Sequence, residues 1–443
     1  MVRRLAVWPR FSATVIVFSL LAGACTGTRP DVGAASSACP SLAPVYPADA
    51  WLRIDNPECA GWSGIGLDSV RQHLATLSTT GFVAVVGGRI LMDHGDLERV
   101  SYLASVRKSV LSMLYGIHVE RGEIDLDKTL EQLGIDDVGG LTPQERQATV
   151  RNLLTARSGV YHEASNGGDD LASAPPRGSQ APGSYYLYSN WDFNALGTIF
   201  EQETGQMIYD ALETDLTRPI DFQDFDRSIH RRTGNAERSV HLAYHMHFST
   251  RDMARIGYLM LRNGRWESRQ IVPENWVEES TQPFTRVHEM NPEPRRDGVF
   301  GYGYLWWVFD RPGLGPAYRG AFTGLGAVGQ HILVMPALDL VVAHKTEPGD
   351  DRRVSHDEFL EVIRLLLGAR CDPGVVGEGG RESVGQGCRG NLERAGGGRH
   401  PAFDSRRFVR VLQRRALSVL AEQVRPGPGR ERSHRSSPPA RDR

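Results

Sequence analysis

The chain has 443 residues, with 51 Lys+Arg against 53 Asp+Glu and a formal net charge of -2. Hydrophobic residues make up 40% and charged residues 23%, a globular composition that excludes wholesale disorder and a multi-pass membrane protein. A charge near zero argues against a nucleic-acid partner, because gripping a phosphate backbone needs clustered positive charge.

That total averages over unlike segments. From Cys371 to Arg443 the chain carries 15 Arg, no Lys and 8 acids, a net of +7, together with 12 of the 48 Gly. Residues 371–443 therefore read as a Gly/Arg-rich, mostly disordered tail. Residues 26–370 carry -12, an acidic body that suits a domain outside the cell.

At the N-terminus, Arg3, Arg4 and Arg10 precede an apolar run from Ala13 to Ala24 that is followed at once by Cys25. The run falls short of the roughly 20 apolar residues that span a bilayer, and reads as an export signal over residues 1–25. Leu21-Ala22-Gly23-Ala24-Cys25 resembles a bacterial lipobox, which implies lipidation of Cys25 and anchoring to the cell membrane; an ordinary secretory signal is the alternative. Residues 26–50 are small and polar and read as a tether. Cys39 and Cys59 could close a disulfide in an exported protein, and no C-x-x-C is present.

From Leu67 a helical period runs through Val70, Leu74 and Leu77 and is stopped by Gly81. Phe82 to Val86, Gly87-Gly88, then Ile90 to Met92 reads as a hairpin on a two-glycine turn. Val106, Val110, Met113, Leu114 and Ile117 mark a second helix, with Gly122 just beyond it. Residues 161 to 184 lack any period and form a long loop, a length often tied to function. A helical run covers Leu196 to Glu203 and another covers Asp252 to Leu261. Two apolar alternating runs, Gln330 to Met335 and Leu338 to His344, follow, separated by Pro336-Ala337, and a closing helix carries Phe359, Ile363, Leu366 and Leu367. The fold class is α/β (α+β): an antiparallel sheet flanked by helices, with an all-helical insertion, over residues 51–370.

Two constellations carry chemistry. Ser105-Val106-Arg107-Lys108 is S-x-x-K at a helix start. Positions i and i+3 share a helix face, so the amine can approach the hydroxyl. The apolar stripe beginning at Val106 buries this helix, which disfavours the ammonium and makes Lys108 a plausible base. Tyr188-Ser189-Asn190 follows the long loop. A Tyr near a cation gives up its proton more easily, and Asn190 offers a donor and an acceptor to a substrate amide or ester. The structural alternatives are an exposed Ser and Lys, and a core Tyr beside a helix cap.

Together with Leu153-Leu154-Thr155-Ala156-Arg157-Ser158-Gly159 and Ser249-Thr250-Arg251-Asp252-Met253-Ala254-Arg255, these motifs resemble the serine β-lactamase-like superfamily. That superfamily includes class C β-lactamases, family VIII esterases and 6-aminohexanoate-dimer hydrolases. The resemblance implies that Ser105 is an acylated nucleophile, Lys108 its activating base and Tyr188 a proton shuttle, with no metal and no organic cofactor. The substrate is then a small ester, amide or peptide.

Where the family places K-T-G, this chain has Phe322-Thr323-Gly324, which would line the substrate site with an apolar wall. An N-H between Gly324 and Gly329 would complete an oxyanion hole with that of Ser105. Arg319 could supply a substitute cation. The alternatives are a penicillin-binding-type D-amino-acid peptidase or weak β-lactamase, and a catalytically silent binding lipoprotein. His241, His245 and His247 read as structural or pocket-rim histidines, and Tyr302, Tyr304, Trp306 and Trp307 as core.

Overall fold

The computed structural model describes residues 39, 43–347, 349 and 352–371. The signal segment with Cys25, and the tail beyond Cys371 with Cys388, lie outside the described residues. Of Met1–Pro40, which separates as its own unit, only Cys39 is described.

The strands are β1 (Leu52–Arg53), β2 (Gly81–Val86), β3 (Arg89–Gly95), β4 (Ser101–Tyr102), β5 (Arg231–Thr233), β6 (Ala243–His245), β7 (His247–Phe248), β8 (Arg265–Trp266), β9 (Arg269–Gln270), β10 (Phe300–Tyr302), β11 (Trp307–Phe309), β12 (Phe322–Gly326), β13 (Gln330–Met335) and β14 (Leu340–Lys345). The helices are α1 (Gly64–Leu74), α2 (Val106–Glu120), α3 (Val150–Leu154), α4 (Asn190–Thr204), α5 (Ile208–Ala211), α6 (Thr250–Leu261), α7 (Glu274–Ser280) and α8 (His356–Gly368).

One eight-stranded sheet runs in the order β1-β3-β2-β14-β13-β12-β11-β10. Its pairings are antiparallel except at one edge, where β1 lies parallel to β3. The expected hairpin forms on Gly87 and Gly88, both at positive φ, which glycine adopts without a Cβ penalty.

Alternation along the strands splits the core. Phe82, Ala84, Leu333 and Val342 face α1 and α8, whereas Val83, Val85, Ile332 and Val341 face the other layer with α2 and α6. Both faces are thus covered, which explains why β13 and β14 are buried throughout and why Ile332 to Met335 and Leu340 to Ala343 are continuously apolar. The segment between β4 and β10 is mostly helical, as expected, but also carries the two-stranded pairs β4–β7, β5–β6 and β8–β9.

The Ser249–Arg255 motif resolves into fold chemistry. Ser249 caps α6 by accepting from Asp252 N (3.2 Å), and the Asp252 carboxylate accepts Gln223 N and Asp224 N, both at 2.9 Å. Arg255 donates to the carbonyls of Pro47 and Ile220 (3.0 Å each) and Ala48 (2.6 Å). Residues 43–50, expected as the end of a tether, are instead held on the body, because Arg255 binds their carbonyls and Tyr46 packs on Trp266. Cys371 likewise belongs to the body, its N–H donating to Gly61 O at 2.9 Å. Cys39, Cys59 and Cys371 are each disulfide-bonded.

Candidate active site

The first helix of the insertion, α2, begins against the sheet. Leu103 and Val106 are fully buried, and Ala104 between them adopts φ 48°, a left-handed conformation unusual for alanine. This turn delivers Ser105 to the N-terminal end of α2, with its own residue partly exposed. Three residues on, Lys108 is 1% exposed.

The structure brings the sequence-derived residues together. Lys108 Nζ lies 3.0 Å from Ser105 Oγ, 2.6 Å from Tyr188 OH and 2.7 Å from Asn190 Oδ1. The rings of Tyr188 and Phe193 flank it at 4.3 and 4.4 Å. Burial holds the Lys108 amine well below its ordinary value of 10.5; Arg107 and Arg295 push the same way, while Asp169 and Asp170 oppose them. Tyr188 behaves otherwise than its cationic surroundings suggest. Burial pushes it up to about 12, outweighing the hydrogen bond with Ser105 and the charges of Arg107 and Arg295. At neutral pH its phenol keeps its proton.

The remaining motif shapes this arrangement. Ala156, at φ 54°, offers its carbonyl to Leu187 N at 2.9 Å, which fixes the segment entering Tyr188. Ser158 Oγ donates to Asp192 Oδ1 at 2.6 Å, locking the loop to α4. The long loop also reaches back: Asp169 Oδ2 accepts Asn190 N at 3.0 Å and so satisfies the start of α4, where the Ser189 side chain makes no cap bond. Asp170 N donates to Tyr188 O at 2.9 Å, and its carboxylate takes Arg295 bidentately at 2.6 and 2.9 Å. Arg295 lies 107 residues from Tyr188 in a stretch with no readable motif, so sequence reasoning missed it. Asp169 and Asp170 were missed for a similar reason, lying in an aperiodic loop.

The strand beside Ser105 is β12. Its pairing with β11 stops at Thr323, so Gly324 to Gly326 run on alone along that edge. A Cβ on Gly324 would stand 3.1 Å from Ser109 Oγ, and one on Gly326 would stand 2.7 Å from Leu103 O and 3.1 Å from Ser105 N. The glycines therefore let the strand close on the start of α2. Phe322 is 3% exposed and packs edge-to-face on Trp306 at 5.2 Å. Thr323 is fully buried, its Oγ1 donating to Gly324 O at 3.1 Å. Arg319 is exposed and precedes β12 at the end away from Ser105. Lys345 ends β14 and donates to Ser101 O at 2.8 Å and to Phe248 O.

His241 is held by Thr198 Oγ1 (3.0 Å) and Asp136 O (3.1 Å), whereas His245 and His247 flank Tyr102 at 5.1 and 5.7 Å between ring centroids. Tyr302, Tyr304, Trp306 and Trp307 are all buried.

The family model described as Beta-lactamase matches residues 70–358, which include every one of these groups. The chain belongs to the beta-lactamase family. Among curated proteins it is similar to the 6-aminohexanoate-dimer hydrolase of Paenarthrobacter ureafaciens, 24% identical over 360 residues, covering 73% of this chain and 86% of the relative. Among solved structures it is similar to a Bacillus anthracis protein provisionally described as a 6-aminohexanoate-dimer hydrolase, at TM-score 0.52 and 19% identity, covering 74% of this chain and 87% of that one. It is also similar to EstCE1, described as a hydrolase with promiscuous acyltransferase activity, at TM-score 0.51 and 16% identity, covering 68% and 97%. The beta-lactamase family comprises hydrolases of one fold, and the mixed sheet and helical layers described above are that fold.

Proposed function

We propose that the protein is an exported serine hydrolase that cleaves an ester or amide through an acyl-enzyme on Ser105. The observation that carries this reading is the contact of one buried amine, Lys108 Nζ, with both Ser105 Oγ and Tyr188 OH. A neutral amine has two protons and one lone pair for its three oxygen neighbours. Asn190 Oδ1 can only accept, so one proton is committed there. The other proton and the lone pair are shared between the two hydroxyls.

In the first half-reaction Lys108 takes the Ser105 proton as Oγ bonds to the substrate carbonyl carbon. The carbonyl electrons move onto oxygen, facing the N–H of Ser105 and the unpaired edge of β12 beside Gly326. Collapse breaks the bond to the leaving alcohol or amine. Tyr188 protonates that group and is recharged by Lys108. Water then attacks the acyl-Ser105 ester, giving a proton to the same pair, and Ser105 regains its own. Small esters, amides or peptides fit this chemistry. The buried Phe322 at the K-T-G position supplies no cation for a substrate carboxylate, which favours this reading over a β-lactamase or D-amino-acid peptidase.

Export is supported by the N-terminal pattern and by three disulfide-bonded cysteines, since such bonds persist mainly in oxidising compartments. Lipidation of Cys25 rests on the sequence and is tested by metabolic palmitate labelling of the protein and its Cys25→Ala variant. The hydrolase reading is tested with a short-chain nitrophenyl ester and a fluorescent penicillin. Ester turnover lost in Ser105→Ala supports it. Turnover indifferent to that change sinks it, and stable penicillin labelling would transfer the site to peptidase chemistry.

A further inference from the structure

We propose that the packing between α2, α4 and β6 holds a small monovalent anion, a halide or a carboxylate, on the guanidinium of Arg107. Arg107 is 2% exposed, yet no carboxylate lies within ion-pair reach of it among the described residues. Its guanidinium carbon sits 4.6 Å above the Tyr244 ring. One nitrogen, Nη2, makes a long 3.4 Å bond to Asn194 Oδ1, while Nε and Nη1 have no partner. A buried cation left uncompensated is strongly unfavourable, so such groups are found paired.

The surroundings are built from further donors. The hydroxyls of Tyr244 and Tyr209, 0% and 2% exposed, have no well-formed hydrogen bond among the described residues, and that of Tyr244 lies beside the Arg107 guanidinium. Burial holds both phenols in the protonated form, Tyr244 at about 12 and Tyr209 higher still, and Arg107 and Arg232 act on both. Arg232, next to Tyr244 across Gly197, already has Glu201 at 3.0 Å. The positive charge in excess is therefore that of Arg107. An arginine with two unpartnered nitrogens and the Tyr244 phenol beside it, with no carboxylate in ion-pair reach among the described residues, are the partners of an anion. The single charge in excess sets the charge of its partner: a dianion such as sulfate would leave one negative charge buried and unpaired.

The position gives the anion a consequence. Arg107 precedes Lys108 in α2 and is the strongest of the charges acting on that amine, ahead of Asp169, Asp170 and Arg295. An anion on Arg107 would cancel part of that field.

The test uses the full chain in sodium methanesulfonate, titrated at constant ionic strength with bromide, formate or sulfate while the melting temperature is followed. A saturable rise with bromide or formate and none with sulfate is expected. Saturation by bromide alone or by formate alone distinguishes a halide from a carboxylate. Crystals soaked in bromide should show an anomalous peak beside Arg107 Nε and Nη1. Arg107→Met should abolish the rise, and Tyr244→Phe, which keeps the cation, should raise the half-saturating concentration roughly tenfold, the loss of one charge-assisted bond. Equal melting temperatures in all anions, with only water beside Arg107, would overturn the proposal. So would a rise that survives in a folded Arg107→Met or is unchanged in Tyr244→Phe.

Discussion

Lys108 Nζ stands 2.6 Å from the hydroxyl of Tyr188, and the two groups are displaced in opposite directions by the same burial. The amine is held well below 10.5, while the phenol rises to about 12. The pair is thereby sorted into a base without its proton and an acid with one.

This sorting fixes the pH dependence. The active form needs Lys108 neutral, so kcat/KM should rise with pH through the lowered Lys108 value and then hold level toward that of Tyr188. Burial sets that acid limb first, and the charges of Arg107, Asp169, Asp170 and Arg295 adjust it. Lys108→Arg, which keeps a permanent cation, should lose about 10²–10⁴-fold at neutral pH. A variant profile that still rises at the wild-type position would show that Lys108 is not the titrating group.

Tyr188→Phe removes only the hydroxyl from a ring packed between Phe193 (4.8 Å) and Trp307 (5.4 Å). The fold should persist and kcat should fall by about 10²-fold or more. Ester substrates with good leaving groups, which need less protonation, should suffer least. Equal losses across leaving groups would argue against a proton shuttle.

Gly326→Ala should be costly although its backbone is not in the left-handed region, because the new methyl would meet Leu103 O and Ser105 N. Activity should drop sharply with a lower melting temperature. Gly315→Ala, where nothing lies within 4 Å, is the matched control and should change neither. Comparable effects at both sites would remove the close-approach argument.

Asp192 is buried with no cation in ion-pair reach among the described residues, and burial raises its carboxyl well above 3.8 despite the bonds from Ser158. A carboxyl raised in the folded state is held most tightly in its protonated form. Its contribution is full below the unfolded value of about 3.8 and is lost as pH climbs to the folded one. Asp192→Asn, which cannot ionise, should flatten the decline in stability above pH ~4. Asp192→Ala should cost about 1–3 kcal/mol by stranding Ser158. An unaltered pH dependence of the melting temperature in Asp192→Asn would contradict this.

Local period and short motifs carried most of what was legible in the sequence. The Gly-Gly hairpin, α2 and the two apolar strands β13 and β14 follow from spacing and composition. The S-x-x-K pair follows because i and i+3 meet on a helix. The helical period in the sequence starts only at Leu196, whereas α4 starts at Asn190. Its first N–H is satisfied from Asp169, 21 residues upstream, and not by a local cap. Arg295 and Asp170 were invisible for the same reason: their pairing is tertiary, between an aperiodic loop and a segment with no motif. Phe322, expected to wall the substrate site, shares its strand face with Gly324 and Gly326 and so points into the packing on Trp306.

The central claim is that Ser105 becomes acylated, and intact-protein mass spectrometry after treatment with a fluorophosphonate tests it most directly. One adduct per chain is expected, mapped by peptide analysis to Ser105 and absent in Ser105→Ala, with labelling slowed in Lys108→Met. An adduct on another residue, or undiminished labelling of Ser105→Ala, would contradict it.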